Sequence, residues 1–210
     1  MKVIQILPVF MLGGAERMCQ ALTLELAEKG VDVSVISLFS DKNSITEELE
    51  KKGIKIHYLN KKFGLDLSMP RAIYNVLKRE KPDIIHMHLQ VAKYAVPAAI
   101  LARVKFRVQT IHNEAHKEET KKERRIRRIF YKFNNVVPVA LTEKIKNTVI
   151  EEYKLDADKI PVVFNGVNLN NCIVKKDYVV DGNFKILHIG RFFPQKNHIG
   201  LINGFSIFHN

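Results

Sequence analysis

Apolar, strand-like runs alternate with helical patterns along nearly the whole chain, and this alternation limits the folds that the sequence can adopt. KVIQILP at residues 2–8 predicts a buried strand, and residues 15–29 place apolar side chains such as Met18 and Leu22 at helical spacing. Repeated βα units of this kind predict a parallel sheet with helices on both faces. With right-handed crossovers, the expected fold is α/β, a doubly wound, mostly parallel, Rossmann-like sheet.

The same patterns give provisional bounds for the other elements. The predicted strands span 31–38, 54–59, 83–88, 106–112, 136–142 and 160–166. The predicted helices span 44–52, 68–79, 90–103, 116–133 and 143–153. Ser44 with Glu47 three residues later predicts a capping box, Gly30 a C-terminal cap, and Thr142 an N-terminal cap.

The composition of the sequence changes after Gly166, where a polar, turn-rich stretch is typical of a linker. A further strand over 184–190, a loop and a helix are predicted before the chain ends at Asn210. Because one βα unit cannot bury its apolar faces alone, we expect two parts. Residues 1–168 would form a Rossmann-like domain, and residues 169–210 a linker with the incomplete start of a second domain.

Charge and cysteine content narrow the classes of partner. The formal net charge is +12, which favours nucleic acid, anionic lipid or phosphorylated ligands. The two cysteines indicate no disulfide framework, no cysteine and histidine cluster has zinc spacing, and no metal is expected. Gln5 and Pro8 interrupt the apolar N-terminal run, so we expect a cytoplasmic protein without a signal peptide.

Two adjacent glycines, Gly13 and Gly14, separate the first predicted strand from the first helix. They are compatible with a tight turn in which any side chain would clash. They are also compatible with a phosphate or sugar oxygen resting on backbone N–H groups at a helix N-terminus. Glu16, in the first helical turn, suits the helix dipole. The glycine patterns of dinucleotide-binding and phosphate-binding loops are missing, which disfavours NAD and ATP as ligands.

Polar residues follow several predicted strands at the edge where parallel sheets bind ligands. They are His86 and His88 at the fourth strand, His112 and Asn113 at the fifth, and Asn165 at the last. A histidine at a strand end is also commonly a hydrogen-bonded edge residue, so both interpretations stay open for His86 and His88.

The predicted helix 116–133 is strongly basic and carries one apolar stripe, formed by Ile126, Ile129, Phe130 and Phe133. The stripe could face the core while the basic face is solvated. Alternatively, the basic face could rest on an anionic membrane surface, and both arrangements can hold together. No nucleic-acid partner is expected, because no aromatic platform or recognised binding motif accompanies the charges.

Four segments, taken in order, resemble family 4 glycosyltransferases, which have the GT-B fold. The segments are GGAERMCQALTLELAEKG (13–30), KPDIIHMH (81–88), NGVN (165–168) and ILHIGRFFPQKNHIGLI (186–202). Asn168 stands where the family has an aspartate. Each segment alone is a weak signal, but their order across the chain is specific.

The resemblance implies a retaining transferase that moves a sugar from a nucleotide-sugar to an acceptor, with no cofactor or metal. The first domain would shape the acceptor side, and the second would bind the nucleotide. Among the residues, His112 would be catalytic. The donor phosphates would be held by Arg191, Lys196 and Gly14. The acceptor side of the cleft would be lined by Gly13, Glu16, His88, Asn113 and Asn165.

The resemblance also implies that most of the catalytic second domain, including a pair of glutamates, is missing. We therefore expect a truncated chain with little or no transferase activity of its own. The expected role is surface polysaccharide or glycolipid biosynthesis. A peripheral location at the inner face of the membrane is compatible with that role. The alternative is a non-catalytic Rossmann module that binds a sugar phosphate or a lipid.

Overall fold

The structure is a computed structural model that describes residues 1–11, 13–118, 120–167, 169, 173–174, 186–190 and 192–209. The chain divides into two units, Met1–Leu169 and Asn170–Asn210, which are described separately below.

The first unit alternates strands and helices from its second residue. Its strands are β1 Lys2–Leu7, β2 Asp32–Ser37, β3 Lys55–Tyr58, β4 Ile84–His88, β5 Phe106–Ile111 and β6 Val136–Ala140. Its helices are α1 Gly14–Glu28, α2 Ser44–Lys51, α3 Met69–Glu80, α4 Ala92–Leu101, α5 Ala115–Glu118, α6 Lys121–Phe133 and α7 Glu143–Tyr153. A 3₁₀ turn, Leu89–Val91, leads from β4 into α4.

The described strands form one six-stranded sheet in the order β3-β2-β1-β4-β5-β6. Every pairing is parallel, as between β1 and β4, where Gln5 lies opposite His86. This is the doubly wound order of the Rossmann fold, so the predicted fold class is confirmed. The order reverses between β1 and β4, and that reversal opens a crevice at the carboxyl ends of these strands.

Two clusters of buried apolar side chains lie in the described part of the first unit. The larger joins β1, β2 and β4 to α3, α4, α6 and α7, through residues such as Ile73, Ala95 and Val149. The smaller joins the sheet to α1 and α2 through Cys19 and Leu49. The helices therefore cover both faces of the sheet, as expected for strands that are apolar throughout.

Helix α1 buries a different face from the one its apolar residues predict. Its buried residues are Glu16, Cys19, Gln20 and Thr23, whereas Met18 and Leu22 are half-buried. Gln20 Nε2 donates to Glu48 Oε2 on α2 at 2.7 Å, and this contact helps to turn the polar side inward. The predicted C-terminal cap is confirmed, because Gly30 has φ 75° and donates to the Ala27 carbonyl at 2.9 Å.

Three local predictions for the first unit are wrong. The capping box of α2 is formed by Asn43 and Thr46, one residue before the predicted pair. Helix 116–133 is two helices, and Thr120 caps the second with Glu123 as its partner. Residues 160–166 are not a strand in the described structure: Val162 makes an isolated bridge to Ala140.

The short pairing at Val162 has a local cause. Pro161 has no N–H to donate to a ladder, although its carbonyl accepts from Ala140 N at 3.0 Å. Val163 N then donates back to the Ala140 carbonyl at 2.9 Å, and β6 itself ends at Ala140.

The described part of the second unit contains one α-helix, α8 His198–His209, preceded by a 3₁₀ turn, Pro194–Lys196. Asn197 caps α8 by accepting from Gly200 N at 3.2 Å. Residues 186–190 are not in a strand, which corrects the prediction for that part of 184–190. A strand needs a hydrogen-bonded neighbour, and none is present among the described residues of this unit.

In the described structure, the helices are too short or too polar to cross a lipid bilayer.

Candidate active site

The glycine loop after β1 borders the crevice, and its two glycines have different surroundings. A Cβ at Gly13 would lie 2.5 Å from Glu16 Oε2, so the space at Gly13 is already filled by the buried Glu16 side chain. A Cβ at Gly14 would meet nothing within 4 Å. Gly13 therefore serves internal packing, whereas Gly14 leaves open space at the N-terminus of α1.

The glycine loop is fixed to the body of the domain through Phe10. The Phe10 side chain is buried with Val35, Ile45 and other residues of the smaller apolar cluster. Its carbonyl accepts a hydrogen bond from Asn43 Nδ2, and the same Asn43 side chain caps α2 through the Ile45 N–H. The loop thus leaves β1 in a defined direction, because packing of the Phe10 side chain and the hydrogen bond to its carbonyl fix the backbone at Phe10.

A line of polar side chains runs across the sheet from β1 through β4 to the end of β5. His88 is fully buried, and its Nε2 lies 2.8 Å from Gln5 Oε1. His88 Nδ1 lies 3.3 Å from His112 Nε2, and the two ring centroids are 5.5 Å apart. Two of the predicted site residues, His88 and His112, are therefore in direct contact.

His86 lies beside this line and is tied to the neighbouring strand. Its Nε2 is 2.7 Å from Thr110 Oγ1, and its ring centroid is 4.3 Å from that of His88. Burial lowers the pKa of His86 to about 4, with His112 as a smaller cause. Burial also lowers the pKa of His88 well below 6.5, so both rings are neutral near pH 7.

The residue after His88 has an unusual backbone. Leu89 has φ 57°, a left-handed conformation that is costly for a leucine. Its carbonyl accepts from Gln109 Nε2 at 3.2 Å and from Arg127 Nη2 at 3.4 Å. Tyr131 Oη in turn donates to Gln109 Oε1 at 3.1 Å. These contacts hold the end of β4 in one geometry beside the crevice.

The remaining predicted residues differ in placement. His112 is half-buried and Asn113 is exposed, both directly after β5. Asn165 is exposed, and no contact among the described residues joins it to the histidines. In the second unit the Lys196 stem lies against Gly190, where a Cβ would be 3.3 Å from Lys196 Cγ. Arg191, like Asn168 and Cys172, lies outside the described residues.

An acidic residue next to this edge is held by lysines. Glu114 accepts from Lys117 Nζ at 2.5 Å and from Lys144 Nζ at 2.8 Å, which lowers the pKa of Glu114 to about 2. It is therefore ionised at neutral pH and unsuited to donate a proton. Among the described residues, no three metal-ligating side chains converge.

The basic helix α6 corrects the prediction of a core-facing apolar stripe. Its buried residues are Arg127 and Tyr131, whereas the side chains of Ile126, Ile129 and Phe133 are 43%, 52% and 77% exposed. The hydrogen bonds of Arg127 and Tyr131 set this orientation, and Tyr131 also packs edge-on against Tyr153 with centroids 5.0 Å apart. Phe130 alone of the four stripe residues packs against the core.

Sequence reasoning missed the residues that support the histidines, namely Gln5, Leu89, Gln109, Arg127 and Tyr131. A signal for Gln5 was available, because a polar residue in the middle of an otherwise apolar buried strand needs a partner. The partner itself lies 83 residues away and depends on strand order.

Comparison with known proteins identifies the family to which the chain belongs. The profile of Glycosyltransferase Family 4 matches residues 12–171, which is most of the chain. The chain belongs to glycosyltransferase family 4. The match covers the glycine loop, the histidines of β4 and the end of β5, so the geometry above is that of a family 4 domain.

Two curated relatives carry specific names. The capsular polysaccharide biosynthesis glycosyltransferase CapH of Staphylococcus aureus is 25% identical over 203 residues, covering 93% of this chain and 54% of CapH. The UDP-Gal:alpha-D-GlcNAc-diphosphoundecaprenol alpha-1,3-galactosyltransferase of Escherichia coli is 32% identical over 149 residues, covering 63% of this chain and 38% of the relative. The chain thus spans about half or less of the length of these relatives.

A solved structure shows the same fold. HepE of Anabaena, crystallised with UDP and glucose, superposes with a TM-score of 0.65 at 20% identity. The superposition covers 81% of this chain and 46% of HepE. The family 4 domain described here therefore corresponds in fold to a little under half of a solved GT-B protein.

Proposed function

We propose that this chain supplies the acceptor-side domain of a retaining, nucleotide-sugar-dependent glycosyltransferase in surface polysaccharide or glycolipid biosynthesis. The observation that carries the proposal is the contact of His112 with the buried His88 beside the open glycine loop, in a chain of glycosyltransferase family 4. The names of CapH and of the E. coli galactosyltransferase support the surface-glycan pathway.

The proposed roles follow from the chemistry of sugar transfer. The glycosidic bond of the donor breaks, and the departing nucleoside diphosphate gains negative charge. Arg191 and Lys196 would stabilise that charge, since both side chains are cationic donors. The open N-terminus of α1 at Gly14 would approach a donor phosphate oxygen. His112 would contact a hydroxyl group of the transferred sugar.

The acceptor side would be formed by the loops after β1, β4 and β5. Gly13, with Glu16 packed on it, would shape one wall, and His88 would support the other. Asn113, exposed after β5, and Asn165 offer amide groups that can hydrogen-bond acceptor hydroxyls. A lipid-linked acceptor suits this domain, since the E. coli relative is named for a diphosphoundecaprenol acceptor.

A membrane surface is the second proposed partner. On α6 the exposed apolar stripe, defined as Ile126, Ile129 and Phe133, lies on the side opposite the buried Arg127 and Tyr131. Basic side chains lie beside it on the exposed surface of α6, namely Lys121, Lys122, Arg125, Arg128 and Lys132. Exposed apolar residues next to cations complement an anionic lipid surface. We place the protein at the inner face of the membrane on this ground.

Ligand titration of the full chain tests the proposal. Resonances of Gly14 and His112 should shift with a UDP-sugar or a GDP-sugar, and NADH should leave them unchanged. A response to sugar phosphate or lipid without any response to nucleotide-sugars would favour the non-catalytic module instead.

A further inference from the structure

Three side chains on successive parts of the sheet form a directed line of hydrogen bonds. Gln5 of β1 contacts His88 of β4 at 2.8 Å, and His88 contacts His112 after β5 at 3.3 Å. Gln5 and His88 are both fully buried, so water does not compete at this end of the line. His112, at the other end, is half-buried and directly follows β5 at the carboxyl edge of the sheet.

The atoms in contact determine where each proton lies. The atom of Gln5 that faces His88 is the carbonyl oxygen Oε1, which accepts but cannot donate. His88 must therefore donate from Nε2. His88 is neutral, since burial lowers its pKa well below 6.5, and a neutral imidazole carries one N–H. Its Nδ1 then holds a lone pair and accepts from His112 Nε2–H.

We propose that His88, oriented by Gln5, is a positioning residue that fixes His112 as the Nε2–H tautomer and leaves Nδ1 as its basic nitrogen. A buried partner on one ring nitrogen determines the proton position and the orientation of the other nitrogen, as in histidine sites that depend on an outer partner. In this tautomer Nδ1 of His112 carries the lone pair, so it is the nitrogen that can accept a hydrogen bond from a hydroxyl group of the sugar. This step rests on the proposed function of His112.

The full chain without ligand provides the first test. Long-range ¹H–¹⁵N correlation spectra, recorded about two pH units above the ordinary histidine pKa, distinguish the two neutral tautomers of His112. We expect Nε2–H as the dominant form. The opposite orientation of the Gln5 carboxamide would reverse every donor in the line, so a dominant Nδ1–H form would overturn the proposal, as would an even mixture.

Matched substitutions separate positioning from general structure. Gln5→Met keeps the side-chain length but removes the acceptor, so the tautomer of His112 should move toward a mixture. Thr110→Val is the control: it removes the contact of His86 and leaves Gln5 and His88 intact, so His112 should be unchanged.

The outcomes are separable from those of the proposed function. If the tautomer ratio of His112 is the same in the Gln5→Met variant, the positioning role is refuted, whether or not the chain binds nucleotide-sugars. Conversely, a dominant Nε2–H tautomer that responds to Gln5→Met supports it even where no donor binds. Unfolding of the Gln5→Met variant would show in its ¹⁵N spectrum, and the tautomer of the unsubstituted chain then decides.

Discussion

Gly13 and Gly14 are neighbours in the chain that differ in what a side chain would meet. Gly13→Ala would force Glu16 out of its buried position, so we expect a loss of about 1 kcal/mol in the free energy of unfolding. Gly14→Ala should change stability by less than about 0.5 kcal/mol, because the space beside it is open. Denaturant unfolding of both variants measures the difference, and equal losses would contradict it.

The same pair separates packing from ligand approach. If a phosphate oxygen approaches Gly14, Gly14→Ala should weaken nucleotide-sugar binding by about tenfold, equivalent to about 1.4 kcal/mol, in a stable protein. An unchanged affinity would show that the glycine serves only the turn.

What the sequence could show about single residues depends on how local their partners are. Thr142 accepts from Ile145 N at 3.1 Å, three residues away, and was predicted as a cap. Asn43 was not predicted, although its box with Thr46 is as local, because Ser44 with Glu47 offers a competing pair one residue later. The contact of Asn43 with the Phe10 carbonyl, 33 residues earlier, is not contained in any local pattern. The contact between Gln5 and His88 also needs the strand order, which no local pattern contains.

At the scale of elements, the alternation of βα units predicted the order of strands and helices, whereas the orientation of individual helices was not predictable. A prediction of helix orientation from apolar spacing assumes that the apolar side faces the core. In α1 and α6, specific polar contacts of Gln20, Arg127 and Tyr131 place other residues inside. A buried, hydrogen-bonded side chain outweighs the average tendency of its helix.

Helix α6 allows a direct test of membrane binding. Arg125→Gln with Arg128→Gln should weaken binding to anionic vesicles by about 2 kcal/mol, or about thirtyfold, since each surface cation contributes about 1 kcal/mol. Sedimentation with phosphatidylcholine vesicles, with and without phosphatidylglycerol, measures the change. Binding should also fall with added salt.

The control removes the same charge elsewhere. Lys51→Gln with Lys52→Gln alters exposed lysines at the end of α2, which packs on the other face of the sheet. It should have little effect on vesicle binding. Equal binding to neutral vesicles, or equal losses in both double variants, would exclude a role for α6.

At the scale of the whole molecule, ion pairs connect helix α3 to the first residues of two strands of the sheet. Glu80 at the end of α3 accepts from Lys2 Nζ of β1 and from Lys55 Nζ of β3, each at 2.8 Å. These hydrogen bonds lower the pKa of Glu80 from 4.5 to about 2. A carboxyl group with a lowered pKa stabilises the fold above its unfolded pKa and loses that effect as the pH falls toward the folded value.

Glu80→Gln should therefore lower the free energy of unfolding at neutral pH by about 1 kcal/mol. The difference from the unsubstituted chain should shrink as the pH falls from about 4.5 to about 2. Unfolding curves over this range test the sign. Glu25→Gln, which breaks the exposed pair with Lys29, is the control and should change little.

The seating of α6 links two parts of the molecule that are distant in sequence. An α-helix turns about 100° per residue, so rolling α6 to hide its exposed apolar stripe would carry Arg127 and Tyr131 out of the interior. The Leu89 carbonyl would then lose Arg127, and Gln109 would lose Tyr131. The exposed surface of α6 and the end of β4 are thus mechanically coupled. Any rotation of α6 about its axis would break the hydrogen bonds that hold the backbone beside His88.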